Sequence, residues 1–433
     1  MEVHGANFRG TQMPCLRPFA AILTLLFLAV PTSAQEALKL PEVLQMARSH
    51  SHSVLGSRQR LLSFEAQKES ARASSWPSLS LQTGGGLTAT NRPKNPGDGV
   101  DTSLFLNQLL FDFDATRHVQ GIAASQFEIA KMALLQSEQE AMEGAAVNYF
   151  QVLRREALAG LSDDAFKQAQ EHLRLGELRL KAGSGTRSEV LLLKARLANA
   201  RVSLVQARNQ VVLSRLALGN QINLPLGDRP LLQNTVLPPH SFDIDLVPAL
   251  ERRPEIAAQV LKVAIGKERQ EVEKSSSLPG LNATGRYSQR NLDGGDLFAG
   301  VSVNWPLFDG FKSSSRLRSA QADTAAESEL LEQLKQSAEL DIRQEVQSSQ
   351  EANSRFQAAQ EGSLAANEAY RIAVRRYALG LSTQLELIDV QNTLTLARDN
   401  AVQAQSDMAI AEIKLCRALG FDLAESFGKE TGK

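Results

Sequence analysis

KAGSGTRSEV (181–190) and ALGLSTQLEL (378–387) interrupt two helix-forming stretches in the same way. Gly183, Thr186 and Glu189 of the first fall on Gly380, Thr383 and Glu386 of the second. The match spreads outward from there. RLALG (215–219) aligns with CRALG (416–420), LLFDFD (109–114) with PLFDGF (306–311), and SSWPSL (74–79) with SSLPGL (276–281). ARSH (47–50) falls on ALER (249–252). The separation stays at about 200 residues, so the chain is a tandem duplication of one large unit and not a solenoid of short repeats.

Each unit reads in one order. An amphipathic helix comes first, over 38–73 and 247–273. It stops at Pro77 and Pro279, because proline lacks the amide donor and clashes with the preceding turn. Two strands are expected next. In the second copy Leu281, Ala283, Gly285 and Tyr287 alternate with Asn282, Thr284, Arg286 and Ser288. Val301, Val303 and Trp305 then alternate with Ser302 and Asn304, and Gly294, Gly295 and Asp296 read as the connection. In the first copy Leu79 and Leu81 alternate with Ser80 and Gln82, a second strand covers 103–110, and NRPKNPGDG (91–99) joins them. Period-2 segments of about ten residues suit a transmembrane barrel and equally a two-faced soluble hairpin. On the alternation, Arg286 faces a lumen. Trp305 fits either an aromatic girdle or the junction between barrel and helices.

Helix resumes after LFD, with no proline over 101–224 or after Pro306. A helix of about 65 residues spans about 100 Å, far beyond a small globular core. The returning arms carry apolar seams: Val190, Leu193, Leu197, Ala200, Leu204, Ala207 and Val211 in one. Leu387, Val390, Leu394, Ala397, Ala401, Ala404, Met408, Ala411 and Leu415 form the other. A sustained 3-4 spacing demands supercoiled packing against another helix. The short Gly-containing breaks indicate antiparallel hairpins with arms of about 30 to 60 residues.

Composition agrees with this reading. The 433 residues are 43% hydrophobic, 22% charged and only 5% aromatic, with a net charge of −1, so nothing argues for a nucleic-acid partner. Residues 1–34 read as a secretory signal peptide, with Arg9 and Arg17 ahead of the apolar core PFAAILTLLFLAV (18–30) and Ala34 at the expected cut. No other run is apolar over about 18 residues, so no transmembrane helix is expected. Cys416 is then the single cysteine of the mature chain. The units cover 35–219 and 247–420, joined by an inter-repeat segment at 220–246 and followed by a polar tail at 421–433, read as partly unstructured. No Ser/His/Asp set, cysteine pair or phosphate loop stands at informative spacing, so neither catalysis nor a cofactor is indicated. His50 and His52 read as surface residues and not as a metal site.

Four strands close no barrel, and an open sheet edge is not tolerated in hydrocarbon. Three copies would supply twelve strands. The order of elements resembles the outer-membrane efflux protein (TolC-like) family over nearly the whole mature chain. ALERRPEI (249–256), VNWPLFDGFKSSSRL (303–317), RRYALGLSTQLELIDVQNTL (375–394) and ALG (418–420) carry the likeness. The resemblance implies a mainly helical fold with membrane β-strands: a homotrimer with a twelve-stranded β-barrel in the outer membrane and an α-helical tunnel in the periplasm. It implies a passive exit duct in tripartite efflux or type I secretion. Its partners would be a periplasmic adaptor, an inner-membrane transporter of RND, ABC or similar type, and outer-membrane lipid. The runner-up is an adaptor-like or structural coiled-coil protein, which would carry one hairpin and not two full copies. Drugs, metal ions and polypeptides remain open as cargo. Three departures stand out: Leu109 for Pro306 and Phe113 for Gly310, which suggest that the first barrel exit bends differently, and SHSV (51–54) for RPEI.

By position in that family the hairpin tips close the tunnel and meet the adaptor. The pore and gate candidates are Glu386, Asp389, Tyr377, Ser382, Ser188 and Glu189. Gly183, Thr186, Gly380 and Thr383 are the adaptor-docking candidates. Ser382 stands where some relatives carry an Arg that helps hold the channel closed. Thr186 with Glu189 and Thr383 with Glu386 also fit capping boxes, and Gly183 and Gly380 fit helix C-caps with positive φ. Asp389 lies past the first turn, where capping gives it no role. Tyr377 fits a gate hydrogen bond or hairpin packing.

Overall fold

The computed structural model describes residues 37–86, 99–226, 246–290, 293–379 and 381–428. The leader, most of the 91–99 loop, most of the inter-repeat segment and Gly380 lie outside them.

The first amphipathic segment is two helices and not one. α1 (Leu40–His50) and α2 (His52–Ala73) part at Ser51, whose φ of −61° and ψ of 132° are extended. The second copy parts at the matching place, between α5 (Leu246–Glu251) and α6 (Pro254–Ser275). Pro254 marks that break in the sequence, as the first residue of α6. Ser51 gives no comparable sign. Arg253 explains the RPEI motif: it is buried, its Nε donates to the Ala418 carbonyl at 2.8 Å, and it ion-pairs with Asp341 and with Glu255 at 3.3 Å. A buried guanidinium with three partners locks the break onto the far end of the same repeat.

Four strands follow, β1 (Ser78–Gly86), β2 (Gly99–Phe111), β3 (Gly280–Arg290) and β4 (Asp293–Asn304). They form one antiparallel sheet in the order β1-β2-β3-β4. Gly294, Gly295 and Asp296 lie inside β4, so the connection is shorter than the glycines suggested. Gly295 is tolerated there because the Tyr287 ring folds across it; a Cβ would meet the ring within 2.5 Å. Residues directly opposite share a face. One face collects Leu81, Leu104, Tyr287 and Leu297 in one row, then Leu79, Leu106, Gly285 and Ala299 in the next. The other collects Ser80, Phe105, Arg286 and Phe298, and Gln82, Ser103, Ser288 and Asp296. The first is apolar and the second mostly polar, which is the pattern of a wall between lipid and water. Trp305 lies just past β4, at the junction with the helices.

Both barrel exits turn in the same way, against the expectation from Phe113. Phe113 and Asp114 have φ of 52° and 64°, and Gly310 and Phe311 have 67° and 65°. The LFD aspartates hold these turns. Asp112 accepts from the Thr116 amide at 2.8 Å, and Asp309 from the Ser313 amide at 2.8 Å. The hydroxyl and amide donors of Ser313 draw the Asp309 carboxyl below its ordinary range.

Each exit opens a helix of 67 residues, α3 (Ala115–Lys181) and α7 (Lys312–Ala378), longer than the arms expected. At 1.5 Å per residue each is about 100 Å long. They return as α4 (Arg187–Gln221) and α8 (Gln384–Ala418), of 35 residues each. Every residue of the two seams is buried or half-buried in the single chain. Where the arms end, α1, α3, α4, α8 and α9 (Leu423–Gly428) share a core containing Leu40, Leu44, Met142, Tyr149, Leu218, Ile413, Leu423 and Phe427. The tail therefore begins with a packed helix, because Leu423 and Phe427 supply an apolar face to α1. Gly420 of the ALG motif ends α8 at φ 75°, as its C-cap glycine. No described helix is long and apolar enough to cross a membrane.

Candidate functional site

The two hairpin tips come together at one end of the molecule. α3 ends in a Schellman turn: Gly183, at φ 73°, donates to Leu180 at 3.1 Å, and Ser184 donates to Arg179 at 3.0 Å. In α7 the matching bond runs from Leu381 to Arg376 at 2.8 Å. Thr186 and Glu189 form the full capping box, with the Thr186 amide donating to Glu189 at 2.9 Å and the Glu189 amide to Thr186 Oγ1 at 3.2 Å.

The second tip departs from the first here. Thr383 caps α8 by accepting from the Glu386 amide at 3.2 Å, but the Glu386 carboxylate leaves the box and pairs with Arg376 across the turn at 3.2 Å. Asp389 is exposed one turn on and has no ion-pair partner among the described residues. Ser188 is exposed, whereas the Ser382 hydroxyl is buried without a hydrogen-bond partner. Tyr377 links the hairpins: its hydroxyl accepts from Arg179 Nη1 at 2.5 Å, and the guanidinium lies 5.1 Å from the ring centre.

Arg179 is the tip residue that the sequence reading passed over. The duplication held the only signal, since Arg179 and Arg376 are counterparts in the last turns of α3 and α7. One takes Tyr377 and the other Glu386, so equivalent arginines serve different bonds. Gln391 also donates to Gln168 at 2.9 Å between the hairpins. Between these contacts lies a crevice of about 670 Å³, lined by His172, Arg179, Leu193, Tyr377, Ile388 and Asp399 among others. Burial in it pushes His172 below its ordinary value and Asp399 above its own. These groups offer charge, hydrogen bonds and apolar surface; the arrangement is that of a joint.

Residues 43–223 and 246–421 match the family described as outer membrane efflux protein. BepC of Brucella suis, an outer membrane efflux protein, is 26% identical over 365 residues, covering 79% of this chain and 78% of its own. OpmQ of Pseudomonas putida, a pyoverdine export outer membrane protein, is 24% identical over 410 residues, covering 88% and 86%. The solved outer membrane channel CmeC of Campylobacter jejuni aligns with a TM-score of 0.78 at 18% identity, over 88% of this chain and 85% of that one.

Proposed function

The chain belongs to the outer membrane efflux protein family, and on that premise we propose that three copies form a passive exit duct: a twelve-stranded barrel in the outer membrane continued by a helical tunnel in the periplasm. The observation that carries this is the sheet, apolar on one face, mostly polar on the other and open at both edges. Such a sheet cannot stand alone in hydrocarbon, and twelve strands can close it. A periplasmic adaptor would grip the tips around Gly183, Thr186, Gly380 and Thr383. An inner-membrane transporter would choose the cargo and supply the energy. Relatives named for pyoverdine and for toluene fit one conduit with interchangeable pumps.

At the tips Asp389, Glu386, Glu189, Ser188, Ser382 and Tyr377 form the gate region. Asp389 is the acid with no competing bond, so three copies around the axis make a ring that favours cations. Glu386 contributes less while Arg376 neutralises it. The purified protein should run as a heat-modifiable trimer and conduct in planar bilayers. Asp389→Ala should lower the cation-to-anion permeability ratio more than Glu386→Ala. A soluble monomer that never conducts would sink the duct, and an unchanged ratio in the double variant would sink the ring alone.

A further inference from the structure

Inside the chain, repeat 1 already docks on repeat 2. β2 pairs with β3, α3 packs on α6, Ser275 donates to the Phe113 carbonyl at 2.8 Å, and His118 meets Glu268 at 2.5 Å. The same surfaces recur unmatched on the outer sides of the pair. β4, the counterpart of β2, has a free edge, and so does β1, the counterpart of β3. α6 packs on both α3 and α7, whereas α2 packs on α3 and has no second long helix against it.

The residues of these outer sides are correspondingly bare. Phe308 is 79% exposed where its counterpart Phe111 is 52%, and Trp76 is 75% exposed where Leu278 is 41%. The two repeats keep one hairpin register: Ser78 faces Asn107, and their counterparts Gly280 and Asn304 face each other. The internal seam can therefore be transferred residue by residue.

From this equivalence we infer that β4 and the turn from Trp305 to Phe311 seat on β1 and α2 of a second copy, in the register repeat 1 uses on repeat 2. This rests on the duct reading and names its contact. Within the chain Leu106 faces Gly285. Between chains Val303 then faces Thr83, Asn304 faces Gln82, and Trp305 faces Leu81. Apolar stays with apolar on one face and polar with polar on the other.

Side-chain sizes at the helices support the fit. In the internal seam Gly121 leaves room for Glu268, whose carboxylate carbon would stand 3.6 Å from a Cβ there. Their counterparts are Arg318 on α7 and Ala66 on α2, both exposed, so the large residue has changed sides and a small one receives it. Ser63, Ala66, Ser70 and Ala73 form an exposed small-residue row on α2 along which α7 can approach.

Paired cysteines test the register. Oxidation of the Val303→Cys/Thr83→Cys protein should give covalently linked trimers, and the shifted pair Val303→Cys/Leu81→Cys should link far less. Cys416 adds no background, since it is buried and its thiol is pushed up to about 12. In a second arm Ala66→Arg should reduce the trimer fraction at least tenfold by opposing Arg318, and adding Arg318→Gly should restore it. Equal or stronger linking by the shifted pair, or an intact trimer in Ala66→Arg, overturns the seam while leaving the duct standing. Absence of trimers in the unmodified protein overturns both.

Discussion

Arg179 and Tyr377 join the hairpins through one hydrogen bond and one ring contact at an exposed site, so the link is weak and reversible. A charged hydrogen bond of this exposure is worth about 1 kcal/mol. Tyr377→Phe keeps the ring and removes the bond, and should shift the ratio of open to closed channels by about fivefold, read as open probability in bilayers. His172 adds a pH dependence at the same joint. Burial disfavours its charged form most, Arg196 works in the same direction and Glu171 against it, so the folded value lies below 6.5. The unfolded chain then takes the proton first. Tip stability should be level above about pH 6.5 and fall below it, seen as faster hydrogen exchange at the ends of α3 and α4. His172→Gln should flatten the profile; an unchanged profile would assign the effect elsewhere. The sequence announced Thr186, Glu189 and Gly183 because capping is local and spaced by rule. It hid Arg179, whose partner lies in the other hairpin at no fixed distance along the chain.

Among the elements, those with a period or a proline were legible and those without were not. The seams of α4 and α8 followed from 3-4 spacing, and β1 to β4 from alternation, although Gly294 and Gly295 concealed how early β4 begins. The break at Ser51 was invisible, since an extended serine carries no composition of its own, while Pro254 exposed its twin. The tail misled for a different reason: six residues are too few to show a helical period, yet Leu423 and Phe427 both reach the shared core. Leu423 is fully buried. Leu423→Ala should therefore cost about 2–5 kcal/mol, measurable as a lower melting temperature by circular dichroism. A shift under a degree would mean that α9 only rests on α1.

The whole molecule is two copies of one plan, and the open sheet shows where the plan expects to continue. Length and periodicity made the duplication readable, but not the way one copy grips the next, because that grip uses Arg253, Glu268 and the exit turns, which are far apart in sequence. The repeated seam also separates two kinetic orders of one reaction. Joining β2 to β3 is unimolecular: the tether keeps the halves together however few chains a cell makes. Joining β4 to β1 of another copy is a collision between chains and slows as they become scarce. At low synthesis rates protomers should accumulate half-assembled, with the aromatic turn from Trp305 to Phe311 uncovered, and the number of ducts should rise more steeply than the number of chains.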